Sequence, residues 1–320
     1  MASVLVVTMQ RDEGAMLSRW LAHYASLFSM TNLAIVDNGS TDTMTLELLG
    51  FAERSGARVL RHYATDLDFL EKGRVVTEVI HTLEADAHRR WQRYDFIIPV
   101  DCDELLGVFT RDGVSLTPDD IHAEFHAWRG IDRVLRVGMS LFNVPGQDGW
   151  FSPNRSFHKG IVPGGELMAL DKGFHSPVLR SGDAHERTRL TYLHYHNAPF
   201  AVLRRKARLK LQEPYAACTD LEQLRRYARD PAVPGNHLIA DLLLTEAEYE
   251  AIYDHELRIM VNPASPTLLY SPAGLVRWDA EAYLALNPDV REYGLGPLEH
   301  YVACGWTEGR ALSPAAAMSG

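Results

Sequence analysis

The sequence predicts a three-layer α/β fold on a parallel, Rossmann-like sheet, followed by a helical C-terminal extension. Three observations predict it. Short apolar runs rich in β-branched residues alternate with amphipathic stretches over the first hundred residues. Polar segments bearing acids stand where those apolar runs stop, as they do where a parallel sheet presents its carboxyl edge to a ligand. Beyond residue 215 the apolar spacing becomes helical.

Taken in order, residues 4–8 form a compact run expected to be a buried strand. Leu17, Trp20, Leu21, Tyr24 and Phe28 then recur at helical spacing, after Asp12 and Glu13, whose charge suits the positive end of a helix dipole. Residues 33–36 read as a second strand, ending in Asp37-Asn38-Gly39-Ser40-Thr41-Asp42, where glycine permits a turn and Ser40 or Thr41 can cap the next helix. A helix over 43–54, a short strand over 58–60 and a helix over about 70–90 with Val75, Val76, Val79, Ile80 and Leu83 on one face follow. A fourth strand over 95–100 delivers Asp101-Cys102-Asp103-Glu104.

Composition narrows the function. Hydrophobic residues at 46% and charged residues at 23% suit a globular enzyme, and a net charge of -10 argues against a nucleic-acid binder, which needs a basic footprint. Three cysteines, Cys102, Cys218 and Cys304, are too few and too scattered for a disulfide framework or a zinc site. The first residues lack the basic start and long apolar core of a signal peptide, and no run reaches about 18 apolar residues. A cytoplasmic protein is expected.

Four residues, Thr8, Arg11, Asp37 and Asp101, fall at expected carboxyl ends of strands. Asp37 can accept hydrogen bonds from a base or ribose, or simply close an Asx turn. Lys72 and Arg74 can contact phosphate, or form a solvated helix start. Carboxylates one residue apart at the rim of a core need a partner, because a desolvated anion is costly. For Asp101 and Asp103 that partner is either a hard divalent cation or a helix N-terminus. No Gly-x-Gly-x-x-Gly or Walker sequence is present, which argues against a dinucleotide or P-loop site.

A strand followed by Arg-Asp-Glu, a tryptophan-bearing helix, Val-Asp-Asn-Gly-Ser-Thr-Asp and Pro-Val-Asp-Cys-Asp-Glu resembles the family-2-like glycosyltransferases of GT-A fold. More narrowly it resembles the bacterial branch that carries Asp-Asn-Gly-Ser-Thr-Asp, over about residues 3–210. The resemblance implies that Asp37 holds the base, that Asp101 contacts ribose or metal, and that Asp103 ligates Mn2+ or Mg2+. It implies transfer from a nucleotide-sugar, a UDP-sugar first, to a glycan or lipid-linked glycan acceptor in surface polysaccharide synthesis. A nucleotidyltransferase and a non-catalytic nucleotide-sugar-binding scaffold are the rival readings; the first wants a Gly- and Arg-rich loop that residues 9–14 match poorly.

Residues 118–128 read as a helix capped by Thr117, residues 134–141 as a strand, and residues 143–175 as Gly- and Pro-rich loops shaping a pocket. After the strand-like residues 189–192 come His194 and His196, which alternation puts on one face. In the resembling enzymes a histidine here completes the metal shell; His194 is preferred for it and His196 is the alternative, against a purely structural role. His158 and His175 read as further pocket or surface residues. Inversion, which the resemblance also implies, requires a carboxylate to take the acceptor proton. No single residue matches the family's base; Glu166, in Gly164-Gly165-Glu166, is the first choice and Asp148 the second. Arg204, Arg205, Lys206, Arg208 and Lys210 can meet pyrophosphate, an anionic acceptor or an acidic membrane surface, or form a solvated helix face.

The expected organisation is a transferase domain over 1–212, a helical extension over 213–262 and a small helical module over 263–320, with a linker at 262–266 and a disordered tail after Ser313. That module resembles one attached to bacterial surface-polysaccharide enzymes, on Asn287-Pro288-Asp289-Val290, His300-Tyr301 and Glu308-Gly309-Arg310. The motif does not disclose a biochemical role; a peripheral membrane or assembly contact is a partner expected of the protein, and Trp278, Tyr283, Tyr301 and Trp306 are expected to form the module's core.

Overall fold

In the computed structural model, residues 2–211, 215, 217–262 and 265–312 are described. The expected boundary at 212–213, Pro263 and Ala264 of the linker, the Lys210 side chain and the tail from Ser313 lie outside them.

Four strands build the parallel sheet: β1 (Val4–Gln10), β2 (Leu33–Asp37), β3 (Arg58–Leu60) and β4 (Phe96–Pro99). Their order is β3-β2-β1-β4, all parallel. Both faces are covered, which explains why β1, β2 and β4 are apolar without alternation. Val4 and Val6 pack with Leu17, Trp20 and Tyr24 of α1 (Ala15–Phe28) and with Leu49 of α2 (Thr43–Arg54). Leu5, Val7 and Met9 point the other way, onto Val75, Val79 and Ile80 of α4 (Lys72–Arg89), which follows the short α3 (Asp66–Leu70). The expected three-layer α/β arrangement is therefore what the chain adopts. Asp42, rather than Ser40 or Thr41, caps α2: its carboxylate accepts from the Thr45 N–H, because Ser40 is turned back onto Asp37.

Beyond β4 the expected helix after Thr117 is present and the expected strand over 134–141 is divided into two, but residues 143–175, expected as loops, hold several further strands. The chain forms β5 (Glu104–Phe109), β6 (Val114–Ser115), α5 (Pro118–Ala127, capped by Thr117), β7 (Val134–Val137), β8 (Ser140–Asn143), β9 (Trp150–Asn154) and β10 (Lys159–Pro163). The short strands β11 (Leu167–Ala169), β12 (Val178–Leu179) and β13 (His185–Arg187) precede β14 (Leu190–His194). Strand β10 runs antiparallel to β4, and β7 and β13 extend the first sheet to seven strands. A second sheet of eight strands is centred on β14, between β8 and β5. Glycine and proline misled here: strands this short are punctuated by turns at Gly146, Gly149 and Gly165, all with positive φ.

The basic stretch forms α6 (Phe200–Lys210), and α7 (Leu221–Arg229), α8 (Asn236–Leu243) and α9 (Glu246–Glu250) follow it. The C-terminal part is not wholly helical. Strands β15 (Arg258–Met260), β16 (Leu268–Ser271) and β17 (Gly274–Arg277) complete the second sheet by pairing β15 on β9. Helices α10 (Ala280–Leu286) and α11 (Pro297–His300) then close a small core in which Trp278, Tyr283 and Tyr301 are buried, with ring centroids 5.2 to 5.9 Å apart. Trp306 is half-buried beside it, under the Arg155 guanidinium. The same Arg155, just after β9, donates to the carbonyls of Val302 and Ala303, and Arg187 of β13 pairs with buried Glu299 at 3.0 Å, fastening these helices to both sheets. Among the described residues no helix is long and apolar enough to cross a membrane.

Candidate functional site

The carboxyl edge of the parallel sheet gathers the polar residues. Gln10 and Asp37 end β1 and β2 in register, both buried. Gln10 Nε2 donates to Asp37 Oδ1 at 3.0 Å and to Ser40 Oγ at 3.2 Å, while the Ser40 N–H and hydroxyl also donate to Oδ1. Asp37 thus closes the Asx-type turn and is held in one pose at the rim. Gln10, which the sequence reading passed over, orients it. Asn38 fastens the same turn to the carbonyls of Tyr63 and Thr65.

Thr8 does not reach the edge. Strand β1 continues to Gln10, and the Thr8 hydroxyl is buried on the α1 side with no hydrogen-bond partner among the described residues. Arg11 does lie at the edge, where it pairs with exposed Asp66 at 3.3 Å. Arg74 points outward and pairs with Glu71 and Glu78 on the surface of α4, so the solvated reading holds for it. For Lys72 that reading fails. It is buried at the start of α4, over the Phe174 ring, and donates to Asp101 Oδ1.

The segment after β4 splits its acids into two roles. Asp101 holds two ammonium groups, Lys72 on Oδ1 and Lys159 on Oδ2 at 2.7 Å. Burial works against its charge, but Lys159 and Lys72 outweigh it and hold the carboxyl well below the usual range. Both oxygens of Asp101 are thus engaged by lysines, where the resemblance implied contact with ribose or metal. Lys159, 1% exposed, also lies 3.1 Å from Glu104 Oε2, and these two carboxylates raise its pKa against the pull of burial. Glu104 is fully buried; desolvation, opposed mainly by Lys159, pushes its pKa up.

Asp103 faces the other way. Its Oδ2 lies 3.4 Å from His194 Nε2, at the end of β14, and it lines a cavity of about 830 Å³. Asp148, His196 and Tyr195 line the same cavity, and Arg205 and Lys206 of α6 reach it from the basic helix. His194 is packed edge-on against Phe142 and beside Phe157, with the His196 ring 5.2 Å away. Burial and the neighbouring His194 lower the pKa of His196. His175 sits behind Phe157 and bonds the His158 carbonyl at 2.7 Å through Nδ1, one wall behind the site.

Glu166 is not brought to this place. The Gly164-Gly165-Glu166 turn hydrogen-bonds Asp95 and Glu84, at the amino end of β4, whereas Asp101 and Asp103 follow its carboxyl end. Six residues of extended chain separate Asp95 from Asp101, a span of about 20 Å. The Gly-Gly pair serves a close approach instead: a side chain at Gly164 would collide with the Tyr94 carbonyl. The second choice, Asp148, does share the cavity with Asp103.

Among the described residues no group of three His, Cys, Asp or Glu side chains has the spacing of a complete metal site. Asp103 and His194 form a convergent oxygen–nitrogen pair. That donor set fits a divalent cation of the kind that keeps waters and substrate phosphates in its shell.

No protein-family profile matches this chain, and no curated protein matches it. Among solved structures it is similar to Staphylococcus aureus TarS (TM-score 0.33, 11% identity), over 83% of this chain and 60% of that one. It is also similar to TarS 1–349, alone (TM-score 0.34, 10% identity) and in complex with UDP-GlcNAc (TM-score 0.34, 11% identity), over 83% of this chain and 98% of each. The chain thus spans 60% of the length of the longer TarS chain. Likeness at this level carries no assignment of activity.

Proposed function

We propose that the protein is a metal-assisted glycosyltransferase of GT-A type, moving a sugar from a nucleoside-diphosphate donor, a UDP-sugar first, to a hydroxyl of a glycan or lipid-linked glycan acceptor. The observation that carries this reading is the cavity at the carboxyl edge of the sheet, lined by Asp103 and Asp148, with His194 3.4 Å from Asp103. Asp37, held by Gln10 and Ser40, is suited to accept hydrogen bonds from the base or ribose. Arg11, near that turn, is suited to the donor's phosphates.

Asp103 and His194 would hold Mn2+ or Mg2+. When bound, the ion supplies Lewis-acid neutralisation of the departing diphosphate. The chain's own part is threefold. The rim residues orient the nucleoside, Asp148 accepts the proton of the attacking acceptor hydroxyl, and Phe151, Tyr195 and His196 of the cavity wall limit the approach of water to the anomeric carbon. Attack from the face opposite the diphosphate inverts the anomeric centre. Lys72 and Lys159 stay outside this chemistry and hold the turn through Asp101. Synthesis of a bacterial surface glycan is the setting we assign, supported by the resemblance of the C-terminal segment.

The test is a thermal-shift panel of nucleoside diphosphates, each with and without Mn2+. A ligand specific to the folded state stabilises it by about 2.7 kcal/mol at a hundredfold excess over its dissociation constant. A metal-dependent shift with UDP supports the reading, a shift with another nucleotide changes the donor, and no shift with any of them overturns it.

A further inference from the structure

The His194 ring lies between two carboxylates. Nε2 faces Asp103 Oδ2 at 3.4 Å, and Nδ1 faces Glu104 Oε1 at 3.8 Å. Nδ1 and Oε1 are both buried, and neither has a hydrogen-bond partner among the described residues. The register of β5 on β14 sets Glu104 directly opposite His194, so the facing is built into the sheet. The other oxygen of Glu104 is committed, accepting from the Asp101 N–H at 3.0 Å with the Lys159 ammonium 3.1 Å away. That leaves Oε1 as an acceptor with one nitrogen in front of it. A buried polar atom without a partner is costly, and turning the ring toward Glu104 would pair both atoms at once.

We propose that Glu104 is a positioning residue: its Oε1 takes the Nδ1 proton of His194 in a hydrogen bond, fixes the neutral ring as the Nδ1–H tautomer and turns the Nε2 lone pair toward Asp103. Two acceptors, Nε2 and Oδ2, then face each other and repel unless a cation lies between them. The cradle for a divalent ion is therefore Asp103 with His194, oriented by Glu104 from behind, and Asp101 is released to bind lysines. A carboxylate behind a ligating histidine performs this orienting task in many metal sites. The cradle rests on the function proposed above; the orientation of His194 by Glu104 is tested apart from it.

The experiment is ¹⁵N NMR on the metal-free full chain with labelled histidine, His194 being assigned from the signals lost in His194→Gln. The expected spectrum at mildly alkaline pH shows Nδ1 protonated and Nε2 bare. An Nε2–H tautomer, or a doubly protonated ring, overturns the proposal, and this reading needs no Glu104 variant to fold. Glu104→Gln, and Glu104→Asp, which keeps the charge for Lys159 but withdraws the oxygen, should both mix the tautomers. An unchanged tautomer in the two variants also overturns it. Titration with Mn2+ alone should show affinity lowered about 10–100-fold in Glu104→Gln. If the wild type has the expected tautomer yet binds no Mn2+, the metal reading fails and the positioning role stands.

Discussion

The Lys159 ammonium lies 2.7 Å from Asp101 Oδ2, inside the protein and 1% exposed. A lysine buried to this degree keeps its charge only because Asp101 and Glu104 flank it. Lys159→Met should therefore strand Glu104 and leave Asp101 with Lys72 alone, at a cost of about 3–5 kcal/mol, more than the side chain's own packing. Chemical denaturation measures it. A loss below about 1 kcal/mol would mean that water compensates these acids.

Asp103 and Asp101 should separate by phenotype. Asp103→Asn should remove Mn2+-dependent turnover while leaving the denaturation midpoint close to wild type, because Asp103 is partly exposed. Asp101→Asn should lower the midpoint itself, since Lys72 loses its counter-charge and Lys159 one of its two. Equal effects on stability would contradict the division of roles.

Asp37→Ala should weaken UDP binding without altering Mn2+ affinity, and Gln10→Leu should do the same more mildly by freeing the Asp37 carboxylate. Calorimetry on each variant checks this, and an unaltered UDP affinity in Asp37→Ala removes the residue from the site.

The two carboxylates considered for the base part clearly. Asp148→Asn should lower kcat by about 10²–10⁴, the range for losing a general base, with donor binding retained. Glu166→Gln, at the far end of β4, should stay within about twofold of wild type. The opposite ranking, in steady-state assays, would return the base to Glu166.

His23 offers a pH dependence. Burial lowers its pKa to about 4, against the hydrogen bond to the Leu106 carbonyl at 2.9 Å, which favours the protonated ring. The unfolded chain thus takes up this proton near 6.5, the folded chain only near 4. Stability from the neutral ring is full above pH 6.5 and is lost as pH falls from 6.5 towards 4, by at most about 3 kcal/mol. His23→Gln, which retains a donor for Leu106, should flatten the slope in that window. An unchanged slope in denaturant titrations would assign the acid sensitivity elsewhere.

How far the sequence disclosed this molecule follows from how local each signal was. Strands β1 to β4 and helices α1, α2 and α4 were legible because burial on one or two faces writes an apolar period into the chain. Thr117 was legible as a cap, since Pro118 follows it. Strands of three to five residues between positive-φ glycines carry no such period, so residues 143–175 read as loops. The site divided the same way. Asp37 and Asp103 announced themselves by position after a strand, but Asp101 and Lys159 meet across 58 residues and nothing in either neighbourhood signals the other. Glu166 was misjudged because a Gly-Gly turn marks close approach of backbone without saying what is approached. Glu104, overlooked beside the two aspartates, was in principle visible: it lies one strand register from a histidine that was already singled out.

The pairing of β9 with β15 has a consequence for biosynthesis. Strand β9, Trp150–Asn154, has β8 on one side and Arg258–Met260 on the other. While the ribosome is still making the hundred or so residues between them, one edge of β9 has bare amide and carbonyl groups. Exposed edges of this kind recruit strands from other chains. A nascent chain stalled before residue 258 is thus open to sheet-to-sheet aggregation, and the last fifth of the protein acts first as the cover for that edge.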